Sequence, residues 1–300
     1  MKIVISGASG LVGSALCSGL AAEGHGIVRL VRRQDDLGPN EAPWNPAAGK
    51  LDPAIVAGAD AVINLNGRNI GEGRWNARIK KELYSSRLDA TTTIVEAMAV
   101  AEPRPALLVN ASATGFYGDR GEEVLDESSS AGDGFLSDLC CDWEAAALKA
   151  RSDRTRVVCM RLGMVVAKGG ALARMLPLFK IGLGGPIGSG RQFWPWVAMD
   201  DVVGFVQFAL TNEKLTGPVN LVSPEECRCK EFTQTLGRVL HRPAVLPAPA
   251  FALRLALGEM AEALLLASIR VRPHALEKAG YTFRMPRLEK AIRITLGRAN

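Results

Sequence analysis

The chain has 300 residues, of which 48% are hydrophobic and 22% are charged, enough to bury the core of one or two domains. It contains no run of about 18 uncharged apolar residues, so the sequence predicts no membrane span and no membrane partner. The formal net charge is +5, but Lys and Arg are scattered rather than arranged in a stripe. An anionic cofactor and substrate explain this charge better than nucleic acid does.

The first segment predicts a strand, a glycine-rich turn and a helix. Lys2–Ser6 is a short apolar strand, and a helical run to about Ala22 follows the turn. In a dinucleotide-binding turn the first glycine permits a tight bend, the second admits a pyrophosphate, and the third lets helix and strand pack closely. The phosphates would lie over the helix N-terminus, where free N–H groups favour negative charge. A purely structural turn is the alternative. The expected cofactor contacts here are Gly7, Ser9, Gly10, Leu11, Val12 and Gly13.

The second predicted strand, Gly26–Val31, indicates which dinucleotide is bound. An NAD site usually has an Asp or Glu at the end of this strand, where it accepts from the ribose 2′-OH. Here the strand ends in Arg32 and Arg33. Guanidinium groups suit a 2′-phosphate because their planar forks donate charge-assisted hydrogen bonds to its oxygens. We therefore expect NADP(H), with contacts from Val31 and both arginines; two solvated basic residues on a loop are the alternative.

The rest of the chain alternates strands and helices, which predicts an α/β fold of the Rossmann type, a doubly wound parallel sheet. A Pro-, Asn- and Gly-rich stretch at 38–53 holds at most a short strand near Trp44. Further strands are expected at 60–67, which includes a glycine turn, and at 106–112, 156–162 and 219–222. Helices are expected at about 76–100, 171–181 and 202–210, the first of them with Lys and Arg on its exposed side, and residues 143–150 are expected to lie in another helix.

We predict two domains, because the Pro247–Pro249 stretch precedes a mostly helical tail from about residue 251. Residues 1–225 would form the NADP(H)-binding domain, with segments from about 165 contributing to a substrate cleft. Residues 226–300 would form a small, mainly helical C-terminal domain.

Six cysteines predict neither a disulfide framework nor a metal site. Only Cys227 and Cys229 are closely spaced, and no second ligand pair follows at zinc-finger spacing. The chain also starts on a core strand rather than on a basic leader with a cleavage site. We therefore expect reduced thiols, no bound metal and a cytoplasmic location.

Several segments recur in this order in one group of proteins: the glycine loop, Asn64–Gly67, Ser112–Gly118, Gly182–Gly190, Phe193–Val197 and Asp200–Val202. Together they resemble the extended short-chain dehydrogenase/reductase superfamily. More narrowly, they resemble its "epimerase family protein" branch, which is related to NAD-dependent epimerase/dehydratases and carries a small C-terminal domain of unknown function. The resemblance covers the whole chain. It implies an NADP(H)-dependent oxidoreductase or epimerase that acts on a small anionic or sugar-like molecule, as a monomer or homodimer.

The chain departs from this superfamily at the catalytic pair. The superfamily uses Tyr-x-x-x-Lys on one helix, in which Lys lowers the pKa of the phenol and Tyr is the acid or base. Alignment on Glu144 places Leu136 at the Tyr position and Cys140 at the Lys position, and residues 128–150 contain no Tyr. The usual mechanism is therefore absent. A non-catalytic NADP(H)-binding sensor or scaffold is the second hypothesis.

Two residues remain as catalytic candidates, the first by resemblance and the second by its nearness in the sequence. Ser112 falls where the superfamily has its substrate-binding Ser or Thr, and Tyr117 follows five residues later. The alternatives are a hydroxyl that closes a strand turn for Ser112 and a packed loop aromatic for Tyr117.

The resemblance also implies further cofactor contacts. Glu82 would meet a ribose hydroxyl and Arg87 a phosphate, unless the two form a plain exposed ion pair. The glycine-rich segment that ends at Gly190 would form a wall of the substrate cleft, together with Arg191, Phe193, Trp194 and Trp196. Packing in the core is the alternative for these aromatic residues. The full set of further expected contacts is Leu65, Asn66, Gly67, Glu82, Arg87, Ser112 and Gly163.

Overall fold

A seven-stranded parallel sheet lies at the centre of the molecule. The structure, a computed structural model, describes residues 1–298. The described residues form the central sheet and two small two-stranded sheets. In chain order, the strands of all three sheets are β1 (Lys2–Ser6), β2 (Gly26–Val31), β3 (Glu41–Pro43), β4 (Ala61–Asn64), β5 (Leu107–Ala113), β6 (Val124–Leu125), β7 (Arg156–Leu162), β8 (Met164–Val166), β9 (Trp196–Ala198), β10 (Gly217–Leu221) and β11 (Arg270–Val271). The order in the central sheet is β10-β7-β5-β4-β1-β2-β3. This order reverses between β1 and β4, which places a crevice at the carboxyl ends of these two strands.

Helices cover both faces of the sheet, so the predicted Rossmann-type doubly wound fold is confirmed. They are α1 (Leu11–Ala22), α2 (Pro53–Val56), α3 (Ala77–Val100), α4 (Phe135–Leu148), α5 (Gly170–Lys180), α6 (Met199–Thr211), α7 (Cys229–Leu240), α8 (Ala250–Leu257), α9 (Glu259–Ala261), α10 (His274–Lys278) and α11 (Leu288–Thr295). In the described part of the chain, no helix combines the length and the apolar character needed to span a bilayer.

Alternation along the strands divides the main core into two layers. Ile3 and Ile5 of β1 face the cluster that contains Leu16 of α1 and Phe205 of α6. Val4, between them, faces the opposite cluster, which includes residues of α3. Successive strand residues point to opposite faces, so one short strand packs against helices on both sides of the sheet.

Most predicted elements lie within a few residues of their expected bounds, and two regions differ. Residues 143–148 lie in α4, which begins earlier, at Phe135, and α6 begins at Met199, before the expected position at 202. The sequence did not predict the short parallel pair β8–β9 or helix α7. These elements build a third core cluster around Trp196 and Phe232.

The C-terminal tail shares its packing with the first 225 residues. Strand β11 pairs with β6, and α11 contributes Leu288 and Ile292 to the cluster of α7 and β9. The buried carboxylate of Asp201, at the start of α6, accepts hydrogen bonds from the backbone N–H groups of Arg284 (2.6 Å) and Met285 (3.1 Å). Side chains on both sides of the predicted boundary at 225/226 therefore fill one core.

Candidate functional site

The turn between β1 and α1 has the geometry of a phosphate cradle. Gly7 has a φ of +69°, and a Cβ added to it would lie 2.8 Å from the carbonyl of Leu65. A Cβ on Gly13 would lie 2.2 Å from the Gly7 oxygen, so only glycine lets helix and strand approach this closely. Gly10 is the N-cap of α1, without a side-chain cap and with no acid in the first turn. The first helical N–H groups thus face outward for an anion, which fits a dinucleotide pyrophosphate.

The two arginines after β2 have different surroundings. Arg33 binds the carboxylate of Glu41, which also contacts Arg29 at 3.3 Å. Arg32 is exposed, and its guanidinium has no ion pair or hydrogen bond to any residue in the range 1–298. Val31, the last residue of β2, lies beside Pro43 of β3, and its carbonyl accepts from the N–H of Trp44 (3.0 Å). Of the two predicted contacts to a 2′-phosphate, Arg32 is the one whose charge is available.

A buried polar network supports the crevice from below. The side-chain oxygen of Asn64 accepts from the Ser6 hydroxyl (2.6 Å), and its amide nitrogen donates to Thr91 (2.9 Å) and to Asn110 (2.7 Å). These residues come from β1, β4, β5 and α3. The N–H of Asn66 also donates to Asn64 (3.2 Å), so the loop after β4 is tied to the network. A fully bonded buried network of this kind makes the ends of the central strands rigid.

Arg87 lies inside the protein rather than on the exposed face of α3, where the sequence placed the basic residues of this helix. Its guanidinium donates to the carbonyls of Leu83 (2.9 Å) and Arg68 (3.1 Å) and lies over the ring of Trp143. Burial lowers the pKa of Arg87. A Cβ on Gly67 would lie 3.2 Å from this guanidinium, so Arg87 contacts the predicted cofactor loop.

Glu82 is paired with cations on the surface. It binds Arg68 in the loop after β4 and Arg78 one turn earlier on α3 (2.8 Å). The structure therefore does not join Glu82 to Arg87 in the ion pair that the sequence offered as the alternative. Through Arg68, Glu82 fixes the same loop that Arg87 holds from the other side.

Ser112 and Tyr117 belong to one buried network. The Ser112 hydroxyl donates to Glu144 (2.6 Å), and Glu144 binds Arg161 of β7 through two contacts of 2.8 Å each. Arg161 also donates to the Tyr117 oxygen (2.9 Å), and the Tyr117 hydroxyl lies within donating distance of the Asn220 side-chain oxygen (2.7 Å) and of the Asp126 carbonyl (2.9 Å). Ser112 is 3% exposed and Tyr117 is fully buried, and burial raises the pKa of Tyr117 to about 12. Both hydroxyls thus have internal partners in this structure.

Leu136 and Cys140 occupy the face of α4 where the acid/base pair would stand. Leu136 packs with Trp75 and Met260, and a Cβ on Gly115 would touch it at 3.3 Å. The thiol of Cys140 lies against Ser112, and burial raises the pKa of Cys140 to about 12. Neither side chain can exchange a proton near neutral pH.

The remaining predicted site residues pack tightly. A Cβ on Gly163 would lie 2.9 Å from the backbone of Pro195, so this glycine brings the end of β7 close to the start of β9. The indoles of Trp194 and Trp196 donate to the carbonyls of Leu265 (3.2 Å) and Glu225 (3.0 Å). These aromatics are buried, which is the packing role that the sequence offered as the alternative to a cleft wall.

Comparison with known proteins assigns the chain to a family. The sequence profile of the NAD dependent epimerase/dehydratase family matches residues 3–221, and that of a domain of unknown function matches residues 248–294. The chain belongs to the NAD-dependent epimerase/dehydratase family. An epimerase family protein of Mycobacterium bovis is 44% identical over 291 residues, which cover 97% of this chain and 96% of that protein. The predicted membership of the epimerase family branch is confirmed.

Two further family members are informative. The crystal structure of human epimerase family protein SDR39U1 with NADPH is 34% identical, has a TM-score of 0.92, and is matched over 100% of both chains. A homolog from Arabidopsis thaliana, described as chloroplastic, is 38% identical and covers 98% of this chain and 86% of that protein.

Sequence reasoning about this family member missed two residues of the site. Arg161 is the only charged side chain inside the apolar run from Val157 to Leu162, and Asn64 is the polar end of a buried strand. A charged or amide side chain in a buried strand needs a buried partner, and this is the signal that would have found both. The carboxylate of Asp201, in the motif Asp200–Val202, holds the C-terminal tail.

Proposed function

We propose that the protein is an NADP(H)-dependent oxidoreductase or epimerase of the extended short-chain dehydrogenase/reductase type, acting on a small, sugar-like or anionic molecule. The observation that carries this proposal is the free, exposed charge of Arg32 beside a cradle that only glycine can form. The human relative crystallised with NADPH, at 34% identity over the whole chain, supports the same cofactor.

Each part of the proposed site has a binding role. The N–H groups at the start of α1 bind the pyrophosphate, and Arg32 binds the 2′-phosphate. The loop of Leu65–Gly67, fixed by Arg87 and Glu82, borders the dinucleotide. Gly163 and the end of β5 at Ser112 border the nicotinamide end. When bound, NADP(H) supplies the hydride, while the protein supplies orientation and electrostatics.

A second function is favoured by one specific observation. Leu136 carries no proton, and Cys140 remains a neutral thiol because its pKa is raised to about 12. A protein with the cofactor site but without an acid/base pair suits a non-catalytic NADP(H) sensor or scaffold. The predictions of a monomer or homodimer and of a cytoplasmic location apply to either function. The chloroplastic relative makes fractionation of the native host the direct test of location.

The first test compares NADPH and NADH by calorimetric titration of the wild type and of Arg32→Glu. We expect the wild type to bind NADPH at least tenfold more tightly than NADH, about 1.4 kcal/mol. Arg32→Glu should weaken NADPH sharply and leave NADH nearly unchanged, because only NADPH carries the 2′-phosphate. Lys149→Glu makes the same charge change at an exposed residue next to the end of α4 and serves as the control.

Two outcomes would contradict this proposal. Equal losses for both cofactors in Arg32→Glu would show that Arg32 does not contact the 2′-phosphate. A wild type that binds neither cofactor would show that the glycine turn is structural. A panel of carbonyl and sugar-nucleotide substrates then separates the two functions: turnover identifies the enzyme, and tight cofactor binding without turnover identifies the sensor.

A further inference from the structure

Exposed apolar side chains are concentrated on one part of the surface. Among residues 1–298, thirteen large hydrophobic side chains are exposed, and seven of them lie in two short segments, 178–183 and 245–255. Phe251 and Leu255 on α8 are 72% and 77% exposed, and Val245 is 72% exposed. We call these seven residues the apolar face: Leu178, Ile181, Leu183, Val245, Leu246, Phe251 and Leu255.

Hydrogen bonds join the two segments into one surface. The N–H of Leu246 donates to the carbonyl of Gly184 (3.2 Å), and the guanidinium of Arg242 donates to the carbonyl of Lys180 (2.9 Å). Two residues later, the N–H of Ala248 donates to the carbonyl of Pro186 (2.9 Å). The C-terminal end of α5 therefore lies beside the strand-like segment that leads into α8.

Helix α8 is unusual because its side chains are apolar but none of them is buried. Its sequence, Ala250–Leu257, contains a single charged residue, Arg254. Phe251 and Leu255 are one turn apart and so project from the same side of the helix. A helix that is apolar on nearly all sides is normally covered, so its exposure points to a surface that something else covers.

The two segments of the apolar face contain cations and no acidic residue, although carboxylates from outside them bind two nearby arginines: Glu262 binds Arg254 and Glu289 binds Arg238. No Asp or Glu occurs from residue 154 to 199 or from 232 to 258, although the whole chain has 31 acidic residues. An open groove of about 760 Å³ beside Val245 is lined by Arg238, His241 and Arg242. Lys180 within the face, and Arg174 and Arg242 beside it, form no ion pair with any carboxylate among residues 1–298.

This charge pattern selects among the possible occupants. A second copy of the chain is disfavoured, because a symmetric contact of this surface with itself would bring cations against cations. An anionic lipid surface complements both features, since apolar side chains enter the boundary between headgroups and acyl chains while Lys and Arg contact lipid phosphates. A bilayer also needs no complementary shape to accept side chains that protrude from two chain segments.

We propose that the apolar face docks the protein onto the surface of anionic lipid bilayers, with α8 lying in the interface. The sequence expectation of no membrane partner rested on the lack of a membrane-spanning run, which has no bearing on a surface contact. None of the seven residues of the apolar face is an expected cofactor contact, so the proposal does not depend on the proposed function.

The test is sedimentation of the full-length protein with phosphatidylcholine vesicles, with and without an equal amount of phosphatidylglycerol. We expect binding only to the anionic vesicles, and we expect added salt to weaken it. The double variants Phe251→Ser/Leu255→Ser and Lys180→Glu/Arg242→Glu should each lower the partition coefficient by about tenfold or more. Val100→Ser and Lys149→Glu make the same kinds of change at exposed residues outside the face and should bind as the wild type does.

Thermal melts and NADPH titration of the face variants show whether they are folded, and both should match the wild type. Three outcomes would overturn the proposal. One is a wild type that stays in the supernatant with both kinds of vesicle; the occupant of the apolar face would then be a protein rather than a lipid surface. Another is an equal loss of binding in the control variants. The last is a concentration-dependent dimer that Phe251→Ser/Leu255→Ser abolishes without any vesicle binding, which would make a second copy the occupant.

Discussion

The ion pair between Glu144 and Arg161 is the most deeply buried charge pair of the site. The two side chains are 8% and 4% exposed, and Arg161 also contacts the rings of Phe116 and Tyr117. Because Glu144 also accepts from Ser112, the pair sets the position of the end of β5. Its effect on function would thus be indirect, through the strand end that borders the proposed nicotinamide site.

We predict that Glu144→Gln lowers the free energy of unfolding by about 3–5 kcal/mol, because the charge of Arg161 is then buried without compensation. Chemical denaturation followed by circular dichroism measures this loss. The control is Glu123→Gln, which breaks the exposed ion pair with Arg120 and should cost about 1 kcal/mol or less. Equal costs for the two variants would show that the buried pair contributes no more than a surface pair does.

The sequence indicates the role of some site residues more clearly than the role of others. The glycines of the first turn follow from their spacing, because each position requires the absence of a Cβ. The sequence could not separate Arg32 from Arg33, because the carboxylate that binds Arg33 comes from Glu41 on the neighbouring strand β3. Arg87 was likewise expected at a phosphate. Its position beneath the loop after β4 depends on the packing of α3 against Trp143 of α4, which the sequence does not show.

At the scale of elements, helix α3 was predicted correctly because its length and its cap are local properties. The side chain of Asn76 accepts from the N–H of Ile79 (2.9 Å) and so satisfies one of the free donors at the helix start. We predict that Asn76→Ala lowers the free energy of unfolding by about 1 kcal/mol. Asn76→Asp retains an acceptor and should leave stability close to that of the wild type. A loss in Asn76→Asp as large as in Asn76→Ala would contradict the capping role.

The elements that the sequence did not predict depend on distant partners. Strands β8 and β9 are three residues each and pair only with one another. Trp196 lies in a Trp-rich segment of the kind that can line a cleft, but it is buried with Phe232 of α7 and Ile292 of α11. No local sequence pattern indicates these distant contacts of Trp196, and for this reason the sequence left core packing and a cleft wall as equal alternatives.

At the scale of the molecule, the tail determines whether the chain behaves as one unit or two. Leu276 of α10 lies in the main core with β1 and α6, and Ile292 of α11 lies in the cluster of Trp196. Removal of residues after 247 would expose both clusters and leave the carboxylate of Asp201 without the two N–H groups that it accepts from. The sequence placed a domain boundary at 225/226, whereas this packing favours a single cooperative unit.

We predict that the full-length chain unfolds in one transition, with circular dichroism and Trp fluorescence changing together. A chain ending at residue 247 should aggregate or lack a cooperative transition, because the buried apolar side chains that face the tail would meet water. Size-exclusion chromatography and thermal melts of the two chains measure this. A monomeric truncated chain that melts cooperatively and binds NADPH would instead establish an independent N-terminal domain. The packing of α10 and α11 would then be an addition to a fold that is already stable without it.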